Sequence, residues 1–171
     1  MTPKNLEDLY IHQLRDLYSA ETQLDDALNK MAEKATNEQL QNAFRQHRTE
    51  TSRHRERLER IFEGRGMSPA GVACKAIKGL IKEADENISD SKSFLGADAP
   101  PEVLDASLIA DAQRVEHYEI SAYGTVRTYA EILGRSDEHQ LLSETLSEEK
   151  SADSKLNAIA LEIVNPAAAS A

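Results

Sequence analysis

The segment LIADAQRVEHYEISAYGT, residues 108–125, combines an apolar helical stripe with two glutamates that lie on that stripe. Leu108 and Ala112 are four residues apart, a spacing that places side chains on one face of an α-helix. Glu116 and Glu119 continue that side of the helix, where the core of a helical bundle is normally apolar. The segment therefore predicts a long core-facing helix with carboxylates buried near its middle.

The rest of the chain predicts further helices, because the residues that end helices are few. The 171 residues include only 7 Gly and 5 Pro. No run alternates apolar and polar residues as a half-buried strand would. Capping signals and helix breakers predict helices over residues 5–34, 37–63, 69–94, 102–133 and 138–164.

Short signals mark the predicted boundaries of these helices. A polar residue before a proline, or the capping-box spacing, indicates a start, whereas glycine or Asn-Pro indicates an end. The start signals are Thr2-Pro3, Thr36 three residues before Gln39, and Ser68-Pro69; the end signals are Gly64 to Gly66, Gly134, and Asn165-Pro166.

Four of the helices have roughly 27–32 residues, which corresponds to about 40–48 Å at 1.5 Å per residue. They form two hairpins with short turns, joined by a long connection that carries the helix over residues 69–94. This order predicts an all-α fold, a four-helix bundle with one long crossover that contains an additional helix. Residues 1–166 are expected to form a single domain, followed by a frayed tail over 167–171.

The charge and the cysteine content exclude several classes of function. The chain has 20 Lys and Arg against 30 Asp and Glu, a formal net charge of −10, which argues against binding to nucleic acid or to anionic membranes. No stretch approaches the roughly 18 apolar residues of a membrane span. Cys74 is the single cysteine, so an internal disulfide or a cysteine-based zinc site is excluded, and a cytoplasmic location is expected.

Carboxylates interrupt the apolar stripes of all four long helices near mid-length. An ionised carboxylate in such a core costs several kcal/mol, and no Lys or Arg occupies the same stripes. A pair of bound divalent cations would neutralise the group. The acidic positions are Glu21, Glu50, Glu116, Glu119, Glu149 and Asp153, and the second helix adds His47 and His54.

Some of these residues have a plainer interpretation. A single Glu such as Glu21 on an apolar stripe often indicates a rotated helix or a side chain that reaches the surface. His54 lies between Arg53 and Arg55, so a solvated or supporting role is as consistent with the sequence as metal ligation. His117 is about 100° around the helix from Glu116, which favours a packing or supporting role.

Four segments together carry a resemblance to a known family. They are LRDLYSAETQL at 14–24, HRTET at 47–51, LIADAQRVEHYEISAYGT at 108–125 and LSETLSEEKSADSKL at 142–156. With them, residues 6–161 resemble the YciF/YciE stress-protein family, a ferritin-like group related to rubrerythrin. The resemblance implies a homodimer and a dinuclear metal site with two Fe ions, or two Mn ions, in each chain.

The resemblance also implies a set of metal ligands, one or two from each long helix. They are Glu21, His47 with Glu50 as H-x-x-E, Glu116 with Glu119 as E-x-x-E, and Glu149 with Asp153 as E-x-x-x-D. This pattern departs from the E-x-x-H of ferritin-like proteins at two places. Whether His47 or His54 supplies the nitrogen ligand therefore stays open.

The expected function follows from these ligand types. Carboxylate oxygens with an imidazole suit iron or manganese better than zinc or copper. A metal pair of this kind could react with O₂ or peroxide, so the sequence predicts a stress protein that reduces peroxide or oxidises ferrous iron. The alternative is a metal-binding or structural protein without turnover.

An outer apolar stripe is expected either to form a dimer face or to pack beneath the crossover; it comprises Val103, Ile109, Ile120 and Ile132.

Overall fold

A computed structural model describes residues 2–89, 95 and 98–171 of the chain, and these residues contain helices and turns but no strand. The all-α class predicted from the sequence is confirmed. No helix within the described residues is both long enough and apolar enough to cross a membrane. The helices are α1 (Leu6–Lys34), α2 (Glu38–Gly64), α3 (Lys75–Ser89), α4 (Pro101–Ile132) and α5 (Ser136–Ile159), followed by a π-helical turn (Ala160–Val164) and α6 (Asn165–Ala168).

The long helices form a four-helix bundle from two hairpins. Helix α1 packs along α2, and α4 packs along α5. Across the bundle α1 faces α4 and α2 faces α5, while α3 lies against both α1 and α4. The crossover between the hairpins therefore carries its own helix and covers one side of the bundle, as the sequence predicted.

The helix caps differ in part from the predicted ones. The side chain of Asn5 accepts a hydrogen bond from the Asp8 amide and caps α1, a position that the sequence assigned to Thr2. Asn37, rather than Thr36, caps α2, because the Thr36 hydroxyl donates to another helix. Gly66 adopts a left-handed conformation, with φ of 62°, and ends α2 where the sequence predicted.

Helix α3 is shorter than predicted, because it begins at Lys75 and not at residue 69. Gly71 has a φ of 119°, which an α-helix cannot accommodate. The chain then attaches to α1, since the Cys74 amide donates to the Ser19 hydroxyl at 3.0 Å and Gln23 donates to the Cys74 carbonyl at 3.2 Å. The predicted end of this helix at Phe94 lies among residues 90–94, 96 and 97, outside the described part of the chain.

The last helix continues past the predicted end at Asn165 and Pro166. A π-helical turn over Ala160–Val164 precedes this pair, and α6 extends to Ala168. A proline ring normally clashes with the carbonyl four residues earlier, here that of Glu162. Glu162 lies within the wider π-helical turn, and the helix passes through Pro166. The frayed tail predicted over 167–171 is helical at its first two residues.

The predicted outer stripe of α4 does not form one exposed surface. Ile109 is buried in the same apolar cluster as Ile77 of α3, which fits the alternative that the stripe packs beneath the crossover. Ile120 packs against a second apolar cluster. Ile132 is 67% exposed.

The interior of the bundle consists of two apolar clusters with a polar layer between them. One cluster includes Leu24, Leu28, Phe44, Leu108 and Leu156. The other includes Tyr10, Leu14, Leu58, Phe62 and Leu142. The buried polar residues of the middle layer are Glu21, His47, Thr51, His54, Glu116, Glu119, Thr145 and Glu149.

One buried carboxylate outside this layer ties the two hairpins together. Asp105 of α4 is 2% exposed and accepts hydrogen bonds from the Thr36 amide at 2.7 Å, the Thr36 hydroxyl at 2.7 Å and the Asn37 amide at 2.8 Å. Two of these donors are backbone groups of the turn between α1 and α2. Asp105 therefore fixes that turn against the start of α4.

The substitution Asp105→Ala is expected to lower the free energy of unfolding by about 3 kcal/mol, because it leaves buried amides without an acceptor. Urea unfolding of the metal-free protein measures this change. Glu102→Ala, in the same turn of α4 but partly exposed, is the matched control and should cost about 0.5 kcal/mol or less. Equal effects of the two substitutions would contradict the role assigned to Asp105.

Candidate metal centre

Six side chains with metal-binding chemistry meet in the polar layer, and each is at most 5% exposed. We call this group the interior cluster. All four long helices contribute to it, and the positions follow helical spacing: His47 and His54 are two turns apart on α2. The members are Glu21 of α1, His47 and His54 of α2, Glu116 and Glu119 of α4, and Glu149 of α5.

One half of the interior cluster contains His47, Glu116, Glu119 and Glu149. One ligand atom from each of these residues lies within 4.8 Å of the others. His47 Nε2 is 3.1 Å from Glu116 Oε1 and 3.7 Å from Glu149 Oε2. Ligand atoms about 2.1 Å from one ion lie up to about 4.2 Å apart, so a small contraction brings all four into coordination range.

The other half contains Glu21, His54 and Glu149, whose ligand atoms also lie within 4.8 Å of one another. His54 Nδ1 is 3.0 Å from Glu149 Oε1 and 3.5 Å from Glu21 Oε1. This half therefore has one imidazole and two carboxylates, which are ligand types that bind divalent transition metals.

Glu149 belongs to both halves, and its two oxygens face different histidines. Oε2 lies toward His47, whereas Oε1 lies toward His54. A carboxylate that bridges two metal ions needs this arrangement, with one oxygen directed at each ion. The geometry of Glu149 thus fits a pair of ions better than a single one.

Nine buried nitrogen and oxygen atoms of the interior cluster have no hydrogen-bond partner among the described residues. They include both oxygens of Glu119, both oxygens of Glu149 and both ring nitrogens of His47. His47 Nε2 lies close to oxygens of Glu116 and Glu149, but these contacts do not have the angles of hydrogen bonds. Buried polar groups in folded proteins nearly always have a partner, so a group of this size could hold a metal ion.

The electrostatics of the interior cluster show how strongly it attracts positive charge. Burial raises the pKa of Glu149 to about 7, although His54 and His47 act to lower it. Burial and the charges of Glu149, Glu21 and Glu116 raise the pKa of Glu119 well above its ordinary value. Without a cation, the cluster therefore retains protons near neutral pH.

Burial acts to lower the pKa of both histidines, whereas it raises that of the glutamates. The neighbouring carboxylates raise the pKa of the histidines as well. Burial acts to lower the pKa of His54, but the adjacent carboxylates of Glu149 and Glu21 outweigh it and raise the value to about 10. Burial likewise acts to lower the pKa of His47, whereas Glu116 and other carboxylates raise it well above 6.5. Protons on these imidazoles partly offset the buried negative charge.

Three residues outside the interior cluster hold its members in place. His54 Nε2 lies 2.9 Å from Glu148 Oε2, and Arg57 binds both oxygens of Glu148. Because Nε2 is engaged by Glu148, Nδ1 of His54 is directed into the cluster, a support commonly found behind metal-bound histidines. On the opposite side, the Tyr123 hydroxyl donates a hydrogen bond to Glu21.

The structure brings five of the seven residues proposed from the sequence into the interior cluster: Glu21, His47, Glu116, Glu119 and Glu149. Glu50 lies at the edge, with its side chain 14% exposed and Oε2 3.5 Å from His47 Nδ1. Asp153 lies apart from the cluster.

Asp153 accepts a hydrogen bond from Gln113 at 3.0 Å and lies 3.4 Å from His117 Nε2. The buried stripe of α5 runs from Glu149 to Leu156, and Asp153 falls at its edge. Its side chain is 23% exposed, and none of its oxygens is among the grouped ligand atoms.

His54 is a cluster member that the sequence left undecided between a ligand and a solvated residue. It is fully buried, even though Arg53 and Arg55 flank it. Adjacent helical residues point about 100° away, so charged neighbours do not report on the direction of His54. The informative signal was its seven-residue distance from His47. Two other tyrosines have partners outside the cluster, since Tyr18 donates a hydrogen bond to Glu59 and Tyr118 donates one to Asp16.

Comparisons with known proteins agree with this architecture. The chain matches, over residues 5–169, the model of a family described as a domain of unknown function, DUF892. It is 45% identical over 166 residues to Protein YciF of Escherichia coli K12, which is 96% of each chain. The crystal structure of the E. coli stress protein YciF aligns with a TM-score of 0.87, covering 95% of this chain and 99% of that one.

A second solved structure is also similar, with a slightly lower TM-score. YcfI of Rhodopseudomonas palustris, described as a proposed structural protein, is 48% identical with a TM-score of 0.82, and the match covers 90% of this chain and 94% of that one. The helical bundle with an acidic interior layer has the architecture of ferritin-like proteins. The chain belongs to the DUF892 family, together with the YciF stress protein.

The raised pKa values predict that the metal-free protein loses stability as the pH rises. The folded state binds more protons than the unfolded chain, whose Glu and His titrate near 4.5 and 6.5. Stability from Glu149 is lost between pH 4.5 and about 7, and that from His54 between 6.5 and about 10. The thermal midpoint of EDTA-treated protein should therefore fall from pH 5 to pH 9.

Bound metal should reverse this trend, because it replaces the protons. The rise in thermal midpoint on adding Mn²⁺ is expected to grow between pH 6 and pH 8. A metal-free midpoint that stays constant or increases over this range would contradict the electrostatic description of the interior cluster.

Proposed function

We propose that this protein binds two iron or manganese ions in the interior cluster and acts in stress defence by reducing peroxide or oxidising ferrous iron. The observation that supports this most directly is the set of nine buried, unpartnered ligand atoms. Glu149 adds the second support, since its oxygens face two separate groups of ligands. The E. coli relative is called a stress protein, which is consistent with such a role.

The proposed ligands divide between the two ions. Glu21 and His54 would bind one ion, His47, Glu116 and Glu119 would bind the other, and Glu149 would bridge them. Glu50 is near enough to His47 to join as an outer ligand. We do not include Asp153, because its contacts are with Gln113 and His117.

The chemistry follows from the ligand types and from burial. Two ferrous ions, when bound, supply two electrons, which with two protons convert one hydrogen peroxide molecule into two water molecules. The protein's own residues hold the site for this reaction. Glu148 orients His54, and Tyr123 holds Glu21. The apolar clusters above and below the layer exclude bulk water and strengthen the electrostatic attraction of the ligands for the ions.

A role without turnover is the alternative, and the description of YcfI as a proposed structural protein favours it. In that case the protein would bind metal for stability or would present its surface to a partner. A homodimer and a cytoplasmic location, both expected from the sequence, stay predictions. Size-exclusion chromatography with light scattering tests the dimer.

Metal content tests the proposed site. Protein loaded anaerobically with Fe²⁺ and desalted should contain about two iron atoms per chain by elemental analysis. Glu149→Ala is expected to reduce this number to one or less, because it removes the bridging carboxylate. Asp153→Ala, a matched loss of a carboxylate one turn further along α5, should retain both ions. Iron content near zero in the unmodified protein would refute the proposal.

Turnover is tested with the same loaded protein. Single-turnover mixing with hydrogen peroxide should oxidise both ferrous ions within seconds, seen as a new near-ultraviolet absorption. Absence of any spectral change with either peroxide or O₂, at full iron content, would favour the role without turnover.

A further inference from the structure

A cavity of about 110 Å³ lies between α2 and α5 and reaches the interior cluster. Its outer rim contains the exposed residues Gln46, Ser151 and Lys155. Its floor is formed by the buried side chains of His47 and Glu116. The cavity thus connects the surface of the bundle with one half of the proposed metal site.

The floor of the cavity carries polar atoms that no described residue satisfies. Both ring nitrogens of His47 and Oε2 of Glu116 are buried without a hydrogen-bond partner. These groups are more than nine-tenths buried, and they line the cavity. A polar molecule at the base of the cavity would therefore meet groups that lack partners.

The size of the cavity limits what can occupy it. An apolar cavity of about 150 Å³ holds a benzene molecule, so a cavity of 110 Å³ admits only smaller molecules. The walls between rim and floor include Ala43, Phe44, Ala152 and Leu156, which offer no hydrogen bonds from their side chains. A small uncharged molecule passes such walls at lower cost than an ion does.

A hydrogen-bonded pair spans the rim. Lys155 Nζ on α5 donates to Gln46 Oε1 on α2 at 2.7 Å, and Gln46 Nε2 donates to Glu50 Oε1 at 2.9 Å. The ammonium group disfavours the approach of a cation through this opening. Lys155 and Gln46 are exposed, so their hydrogen bond can open without disturbing the core.

We propose that this cavity admits and holds the small uncharged oxidant, hydrogen peroxide or O₂, beside the interior cluster, with Lys155 and Gln46 closing its mouth. The proposal rests on the proposed function, because it assigns a route and a binding place to the oxidant of that site. It also predicts size selection, since a bulky organic hydroperoxide exceeds the cavity.

Nitric oxide is a suitable probe, because it is small and uncharged and binds ferrous iron with a spectral change. Its rate of binding to the ferrous-loaded protein is measured by anaerobic stopped-flow absorbance. Ala152→Leu fills the cavity from α5 and should slow binding at least tenfold, with iron content unchanged. Ala43→Leu narrows it from α2 and should also slow binding, which keeps the test valid if one variant fails to fold.

Two further variants complete the test. Asn157→Leu adds a similar side chain at an exposed position of α5 that does not line the cavity, and it should bind nitric oxide at the unmodified rate. Lys155→Met removes the hydrogen bond across the rim and should bind at least as fast as the unmodified protein.

Unchanged rates in both cavity-filling variants, at full iron content, would overturn the proposed route while leaving the metal site intact. A slowing in Lys155→Met as large as that in Ala152→Leu would overturn the role of the rim. Absence of iron from the unmodified protein would instead refute the proposed function and this inference together.

Discussion

Four carboxylates and two imidazoles buried at mid-height of the bundle impose the constraint on which the rest of the structure depends. Each of these groups is at most 5% exposed, and the described residues leave nine of their atoms without hydrogen bonds. The apolar core divides into two clusters on either side of them. The two long hairpins place candidate ligands from four helices at the same height in the bundle. The crossover helix α3 covers the side formed by α1 and α4.

The buried carboxylates of this layer need positive charge to balance them. Four ionised carboxylates carry a charge of −4, which two divalent ions would neutralise without help from Lys or Arg. Without ions, the cluster must keep protons, as the raised pKa values of Glu119, Glu149 and both histidines indicate. Protons and metal ions thus compete for the same atoms, so folding, pH and metal binding are linked through one site.

The sequence predicted the bundle and most of the cluster because both follow from helical periodicity. Four glutamates interrupt long apolar stripes in the sequence, and the structure buries all of them: Glu21, Glu116, Glu119 and Glu149. Asp153, which the resemblance implied as a ligand, is partly exposed and is not among the grouped ligand atoms. The partners Gln113 and His117, which hold Asp153 elsewhere, come from another helix.

Other differences arise from contacts distant in sequence. Thr36 looked like a helix cap, but Asp105, far along the chain, takes its hydroxyl. Helix α3 starts late because Ser19 and Gln23 of α1 bind the chain at Cys74. The support of His54 by Glu148 depends on α2 facing α5, which becomes visible only in three dimensions.

The most direct test of the metal centre is anomalous X-ray diffraction from crystals loaded anaerobically with Fe²⁺, collected at the iron edge. We expect two anomalous peaks about 3.5–4 Å apart, one beside His47 and one beside His54, with Glu149 between them. A single peak away from Glu149, or no peak in crystals of the loaded protein, would contradict a dinuclear site in the interior cluster.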